Sequence, residues 1–469
     1  MIRTRFSPSP TGNIHIGNAR AALFSALYAA HRQGKFLLRI EDTDALRSED
    51  KFVEQLQNDL HWLGLKWDEG PEVGGPQEPY FQSKRKAIYD NYYKKLEEMN
   101  RAYPCFCTEQ ELALNRKLQL SRGHAPRYPG TCRSLPSEEI AKRLEKGLKP
   151  ALRFRVPQQT FIEFVDLVKG PQKFDSDDIG DFIIRRADGS SSFMFCNAID
   201  DSLMQMTHVL RGEDHLTNTP RQLMILQALS MPTPSYGHLS LITGDDGSPL
   251  SKRHGSSSLQ DLREKGYLPQ AVLNYLARLS HAYDEQRLMT FQELANQFKL
   301  EKLSRAPARF DENQLLHWQK ETVMRLDSQT AWNWLGKEIH DKVPSNAREL
   351  FIDVVRHNVL FPDEARIWEE IFFGDELVFT SEQLAALKNA GPLFFSELEK
   401  ATKAHQTDIK TIFNELKNKL NVSGKNLFMP VRLALTGKEH GPEMVNIANL
   451  LGAEKMQKRF LRAQELVKE

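Results

Sequence analysis

The chain has 469 residues, 40% of them hydrophobic and 27% charged, a composition that fits about three folded domains and excludes disordered, collagen-like and fibrous classes. Lys and Arg number 63 against 62 Asp and Glu, a net charge of +1 that argues against a histone-like nucleic-acid coat but allows a local basic face. No run approaches the ~20 apolar residues of a membrane helix, the opening MIRTRFSPSP lacks the apolar core of a secretory leader, and four cysteines are too few for a disulfide scaffold, so a cytoplasmic protein without a membrane partner is expected.

Residues 2–6 are β-compatible and end in a loop carrying Pro8, Pro10 and Gly12. From Ile16, apolar residues at Ile16, Ala19, Leu23, Ala26, Leu27 and Ala30 mark one face of a helix, with Gly34 expected as its C′ residue. Residues 36–40 read as a second strand, followed by Glu41-Asp42-Thr43-Asp44. A βαβ unit of this length implies a parallel sheet with a right-handed crossover. The binding crevice of such a sheet lies beyond the carboxyl ends of its strands, where residues 7–16 and 41–44 fall.

From 105 to 150 the chain turns polar and irregular, and 105–180 reads as an inserted domain. Strand-like runs at 181–186, 208–211 and 238–243 are expected to complete the parallel sheet. After residue 258 helical spacing takes over, and from Asn313 almost everything reads as helix, ending in a locally basic stretch. The fold class expected is α/β: a Rossmann-like parallel-sheet domain over residues 1–320, with an insertion and trailing helices at about 256–320, then an all-helical domain over 321–469.

Two loops carry the chemistry. In the first, Ser7-Pro8-Ser9-Pro10-Thr11-Gly12-Asn13-Ile14-His15-Ile16-Gly17-Asn18, a proline-stiffened segment delivers His15 to the first turn of a helix, where backbone N–H groups and the macrodipole favour an anion. Gly17 offers bare backbone to a flat ring. The second, Gly247-Ser248-Pro249-Leu250-Ser251-Lys252-Arg253-His254-Gly255, is a glycine-flanked loop whose Lys252 and Arg253 suit charge developing on a transferring phosphoryl group.

Together these loops resemble the signatures of class I aminoacyl-tRNA synthetases, specifically the bacterial glutamyl-tRNA synthetase family. His15-Ile16-Gly17-Asn18 is similar to its HIGH motif and Pro249-Leu250-Ser251-Lys252-Arg253 to KMSKS. Asp200-Asp201 and Val209-Leu210-Arg211-Gly212-Glu213-Asp214-His215 resemble the strand and turn beside its amino-acid pocket. Arg432-Leu433-Ala434-Leu435-Thr436-Gly437 resembles the end of its anticodon-binding domain.

The resemblance implies ATP-dependent activation of L-glutamate to glutamyl-adenylate, then transfer to the terminal adenosine of tRNA-Glu, with tRNA-Gln left open as a partner. It implies ATP and Mg²⁺, a monomer, an insertion that binds the acceptor stem, and an anticodon-binding role for residues 321–469. His15, Lys252 and Arg253 would be catalytic. ATP would meet Ser9, His15, Gly17, Asn18, Leu250, Ser251 and Lys252, and glutamate would meet Arg5, Ser7, Ser9, Glu41, Phe193, Asn197 and Arg211. Charge argues the same way, because two carboxylates and one ammonium need two cationic clamps and one anion, which Arg5, Arg211 and Glu41 supply.

The chain departs from the family pattern at Asn18, Phe193 and Pro249, the last replacing a lysine. Cys105, Cys107 and Cys132 resemble a family zinc site, but Ser134 is a poor fourth ligand, His124 has the wrong spacing, and no metal is expected. Cys196 is expected in the core beside the pocket. A non-catalytic tRNA-binding relative of a synthetase is the alternative reading, disfavoured by His15 and Lys252.

Overall fold

The computed structural model describes residues 1–43, 50–250 and 258–468, the side chain of Asp50 excepted. They divide into two compact units, residues 1–264 with 269–314, and residues 265–268 with 315–469. Among the described residues no helix is long and apolar enough to cross a membrane.

In the first unit, β1 (Arg3–Phe6) leads through α1 (Ile16–His31) into β2 (Lys35–Leu38), and the two strands pair in parallel with Arg5 opposite Leu37. The helix is rich in alanine and buries far more than the single face its spacing suggested, with Ala22, Phe24 and Ser25 as well as Leu23 inside. Its C-terminal turn differs from expectation. Gln33 takes the left-handed conformation, φ 50°, while Gly34 is where the chain crosses β1: a Cβ there would lie 2.3 Å from the carbonyl oxygen of Ile2. Glycine is required for close approach, not for the cap.

An antiparallel region follows, in which β3 (Ala102–Cys105), β4 (Ala151–Phe154) and β7 (Phe182–Arg185) form one sheet and β5 (Phe161–Asp166) and β6 (Gly170–Asp175) form a hairpin. The run at 181–186 is thus a strand, but it pairs antiparallel with β4 and does not extend the parallel sheet. Alternation alone cannot separate these cases. The stretch 105–150 is also more regular than its composition suggests, holding helices Glu109–Ser121 and Ser137–Glu145. Neither helix buries a residue fully; the first is set by a capping box between Thr108 and Glu111.

The chain then returns to the parallel layer. β8 (His208–Gly212) and β9 (Ser235–Leu239) pair in parallel with Arg211 opposite His238. The run at 238–243 breaks after β9, and Ile242–Thr243 pairs instead with Ala308–Arg309. The two parallel pairs join where Thr207 donates its backbone N–H to the Arg3 carbonyl at 3.0 Å and accepts from Arg3 N at 2.9 Å through its hydroxyl. Arg5, Arg39, Arg211 and His238 are thereby delivered at strand carboxyl ends to one crevice.

The second unit is helical, with Phe351, Phe395, Leu398, Ile412, Leu416, Val431 and Phe460 in its core. Arg459 is buried there and donates to the carbonyls of Ile371 and Leu435, so one guanidinium serves the C-terminal ends of two helices.

Because the conflict at Gly34 is with backbone, Gly34→Ala should destabilise the first unit by about 1–3 kcal/mol, the usual range for overpacking. Urea unfolding followed at the transition of that unit measures it.

Candidate active site

His15 is the N-cap of α1, with φ −78° and ψ 156° and no side-chain cap bond. The first turn holds no acidic residue, Gly17 and Asn18 are exposed, and a Cβ built on Gly17 would meet nothing within 4 Å. An exposed helix N-terminus with an imidazole and a bare backbone patch is suited to an anion carrying a flat ring. Ser9 is exposed nearby, its carbonyl accepting from Thr11 N at 2.9 Å.

Of the second loop, Leu250 is described and donates its N–H to Ile242 O at 2.9 Å. Ser251, Lys252, Arg253 and His254 lie outside the described residues, as does Asp44. Ser258, which follows that stretch, bridges to His15, and Leu259 N donates to Ile14 O at 3.0 Å. The first loop and the segment that resumes at Ser258 therefore meet at the start of α1.

Deeper in the crevice the residues are buried and charged. Arg5 reaches Asp201 through Nε at 3.2 Å and Nη2 at 3.1 Å, and Arg39 reaches Asp201 at 2.7 Å and Glu41 at 3.2 Å. Asn197 ties the cluster together: its Oδ1 accepts from Arg5 at 3.3 Å and from Gln222 at 3.0 Å, and its Nδ2 donates to Glu41. Burial opposes the charge on Arg39, yet Asp201 and Glu41 outweigh it and hold the guanidinium protonated. Burial likewise pushes the Asp201 carboxyl up, but Arg5 and Arg39 bring it below its ordinary value. At Glu41 burial wins and the carboxyl is raised despite Arg39 and Arg5.

Arg211 is different. It is 5% exposed, and its partners are all neutral: Thr219 Oγ1 at 2.8 Å, Gln222 Oε1 at 2.7 Å and His238 Nε2 at 3.2 Å. The Tyr236 ring lies under it at 4.9 Å. Burial lowers its pKa to about 10, which still leaves it charged at neutral pH. Its Nη1 is buried without a hydrogen-bond partner, and among the described residues it is the one arginine whose unpartnered buried nitrogen is terminal. Buried donors are rarely left unpaired. The Ser7 hydroxyl is also buried and unpartnered, whereas half-buried Phe193 lies against His215 with ring centroids 5.2 Å apart. Burial and Arg211 push His215 down to about 4, so that ring is neutral.

The cysteines also converge. The ligand atoms of Cys105, Cys107 and Cys132 all lie within 4.8 Å of one another, and the hydroxyl of Tyr128 is 3.4 Å from the Cys105 sulfur and 3.5 Å from that of Cys107. Tyr128 escaped the sequence reading because a C-x-C pattern directs attention to a fourth Cys or His. Cys196 is buried and bonds Ser192 O at 3.2 Å and Gln82 Oε1 at 3.3 Å.

Arg39, Asp166, Thr219, Gln222, Tyr236 and His238 went unread as site residues. The one local signal was Arg39, two residues before Glu41 at the end of β2. Asp201 appeared in a quoted motif, but it sits on the helix Phe193–Leu203 and not on a strand.

Residues 1–317 match the family described as tRNA synthetases class I (E and Q), catalytic domain, and residues 370–464 match an anticodon binding domain. Glutamate–tRNA ligase 2 of Coxiella burnetii is 52% identical over 463 residues, covering 99% of this chain and 100% of its own. Glutamate–tRNA ligase 2 of Nitrosococcus oceani is 51% identical, covering 98% of this chain and 97% of its own. A crystal structure of a glutamate tRNA ligase from Elizabethkingia meningosepticum in complex with its amino acid superposes with TM-score 0.90 at 29% identity, covering 99% of each chain.

Asp201 is the shared counter-ion of two buried guanidiniums, so Asp201→Asn should cost about 3–5 kcal/mol, the range for breaking a buried ion pair. Denaturant unfolding of this unit checks it, and a loss below ~1 kcal/mol would contradict the arrangement.

Proposed function

The chain belongs to the class I tRNA synthetases for glutamate and glutamine and, within them, to the glutamate–tRNA ligases, and from that premise we propose how its own residues carry the reaction. The α-carboxylate of L-glutamate attacks the α-phosphorus of ATP, pyrophosphate leaves, and the glutamyl group passes from the adenylate to the 3′-terminal adenosine of tRNA. No protein nucleophile is required, so positioning and charge supply the catalysis.

The observation that carries the reading is the unpartnered Nη1 of Arg211. Arg5, Arg39 and Arg211 face the two carboxylates Glu41 and Asp201, while Asp200 is matched separately by Arg85 at 2.7 Å. Asp166 reaches Arg211 only through the neutral His238 ring, so no anion touches Arg211 directly and its free Nη1 suits an anionic group of the ligand. Glutamate offers a side-chain carboxylate there and glutamine only a neutral amide. Arg211 takes the side-chain carboxylate and Arg5 the α-carboxylate. Glu41 receives the ammonium, Ser7 and Ser9 add neutral contacts, Asn197 holds Arg5 and Glu41 in place, and Phe193 forms a wall. At the outer end His15 meets the phosphates, Asn18 and Leu250 line the nucleotide and Gly17 underlies the adenine; the resemblance of their motif assigns Lys252 and Arg253 to the phosphates and Ser251 to the nucleotide.

Mg²⁺ enters with the ATP phosphates and supplies charge neutralisation there. The cluster of Cys105, Cys107 and Cys132 would hold zinc, with Tyr128 as the neighbouring oxygen donor. Tetrahedral coordination at ~2.3 Å per Zn–S bond places sulfurs about 3.8 Å apart, and Cys107 and Cys132 are separated by 3.7 Å. Tyr128 supplies the fourth donor that Ser134 cannot. The tRNA partner is tRNA-Glu, with tRNA-Gln as the comparison.

Metal analysis of the purified protein should find about one zinc per chain, with Tyr128→Phe lowering occupancy. A metal-free wild-type protein would count against the fit. The function itself is tested by aminoacylation of tRNA-Glu and tRNA-Gln with labelled glutamate and glutamine. Arg211→Cys should lower kcat/KM for glutamate by roughly 10³-fold or more and narrow or invert the preference over glutamine, as polar sites discriminate by the group they pair. Arg5→Ala should weaken both amino acids alike. An unchanged glutamate-to-glutamine ratio in Arg211→Cys would remove the assignment.

A further inference from the structure

Arg211 is held on one edge by a histidine that is itself held by a residue from the inserted hairpin. Asp166 closes β5, and the hairpin turn brings its carboxylate to the carboxyl ends of the parallel strands, where Leu167 N donates to Tyr236 O at 2.8 Å. Asp166 Oδ1 accepts from Val168 N at 2.9 Å, Lys169 N at 2.8 Å and His238 N at 3.1 Å. Its Oδ2 meets His238 Nδ1 at 2.5 Å. Both side chains are buried, Asp166 at 2% and His238 at 0% exposure. The docking is reinforced at the next residues, where Lys169 pairs with Glu213 and donates to Arg305 O at 2.9 Å.

The hydrogen bonds leave a single protonation pattern. A carboxylate only accepts, so His238 carries its proton on Nδ1. A guanidinium only donates, so the Arg211 Nε–H points at the Nε2 lone pair 3.2 Å away, beside the Thr219 hydroxyl, which lies 3.1 Å from the same Nε2 and accepts from Arg211 Nη2 at 2.8 Å. We infer that Asp166, supplied by the inserted hairpin, is a positioning residue for amino-acid specificity: it fixes the His238 tautomer, which orients Arg211 so that its free Nη1 edge faces the side-chain carboxylate of glutamate. This rests on the glutamate reading of the pocket. It also explains how a cation with three neutral partners keeps one orientation, since an acceptor on each of Nε and Nη2 fixes the guanidinium plane.

The test is steady-state aminoacylation with glutamate and glutamine, reading KM and kcat separately. In Asp166→Asn the amide donates to Nδ1 and drives the proton to Nε2, where it opposes the Arg211 N–H. KM for glutamate should rise by about 10–100-fold, the usual effect of removing the partner that orients a ligand-binding group. The kcat at saturating glutamate should stay within about threefold of wild type, and kcat/KM for glutamine should not fall. His238→Gln retains an amide donor for Asp166 and a carbonyl acceptor for Arg211, so it should stay near wild type, whereas His238→Phe should behave like Asp166→Asn. If Asp166→Asn fails to fold, the contrast between the Gln and Phe variants at 238 decides. Glutamate and glutamine losing equally, or Gln and Phe at 238 behaving alike, would overturn the inference. If Arg211→Cys collapses discrimination while these variants do not, the pocket reading stands and only the role of Asp166 and His238 falls.

Discussion

The parallel layer of this molecule is organised around one buried anion. Asp201 receives Arg5 from β1 and Arg39 from the end of β2, so a helical carboxylate fastens together two neighbouring strands at their carboxyl ends. Burying three ions is costly unless each is matched and hydrogen-bonded, and here Asn197 and Glu41 complete the set. With those two guanidiniums neutralised, Arg211 stands apart as a cation surrounded by neutral acceptors. In the proposed reading selectivity follows from that division: Arg5 and Arg39 are matched by Asp201 and Glu41 whichever amino acid is bound, and Arg211 is left for the side-chain carboxylate.

The parts of the site legible in the sequence were those encoded locally. His15 and Gly17 sit where a proline-stiffened loop meets a helix, and Arg5, Glu41 and Arg211 fall at the ends of strands whose apolar runs are easy to read. The unread residues owe their position to pairing between distant segments. His238 matters because β9 sets it opposite Arg211, and Asp166 because a hairpin turns at the right place. Neither fact has a local signature. The same limit explains the strand at Phe182–Arg185, whose residues are strand-like but whose partner and direction are fixed by β4.

The helices of the insertion show a different limit. Glu109–Ser121 is weakly patterned and buries nothing, so hydrophobic periodicity could not reveal it, whereas Ser137–Glu145 carries Ile140 and Leu144 at helical spacing and was passed over amid polar neighbours. Capping chemistry could reveal the first, since Thr108 and Glu111 form a reciprocal pair visible at the right spacing. The three cysteines were visible and Tyr128 was not, because a phenol four residues before Cys132 is an unusual donor. At Gly34 the residue was noticed but given the wrong duty, its value being space beside Ile2.

The insertion interrupts the parallel layer in sequence, and such segments are often treated as modules that can be exchanged between relatives. The placement of Asp166 limits that exchange. A hairpin of equal length, but without an acid at the end of β5, would return the chain to β8 with the wall behind His238 unfinished. Grafting between homologues would therefore have to carry Asp166 and His238 as a pair, although 72 residues separate them. The two positions should drift together over evolutionary time, so recombination that splits them would yield proteins that fold while losing their command of which amino acid is loaded.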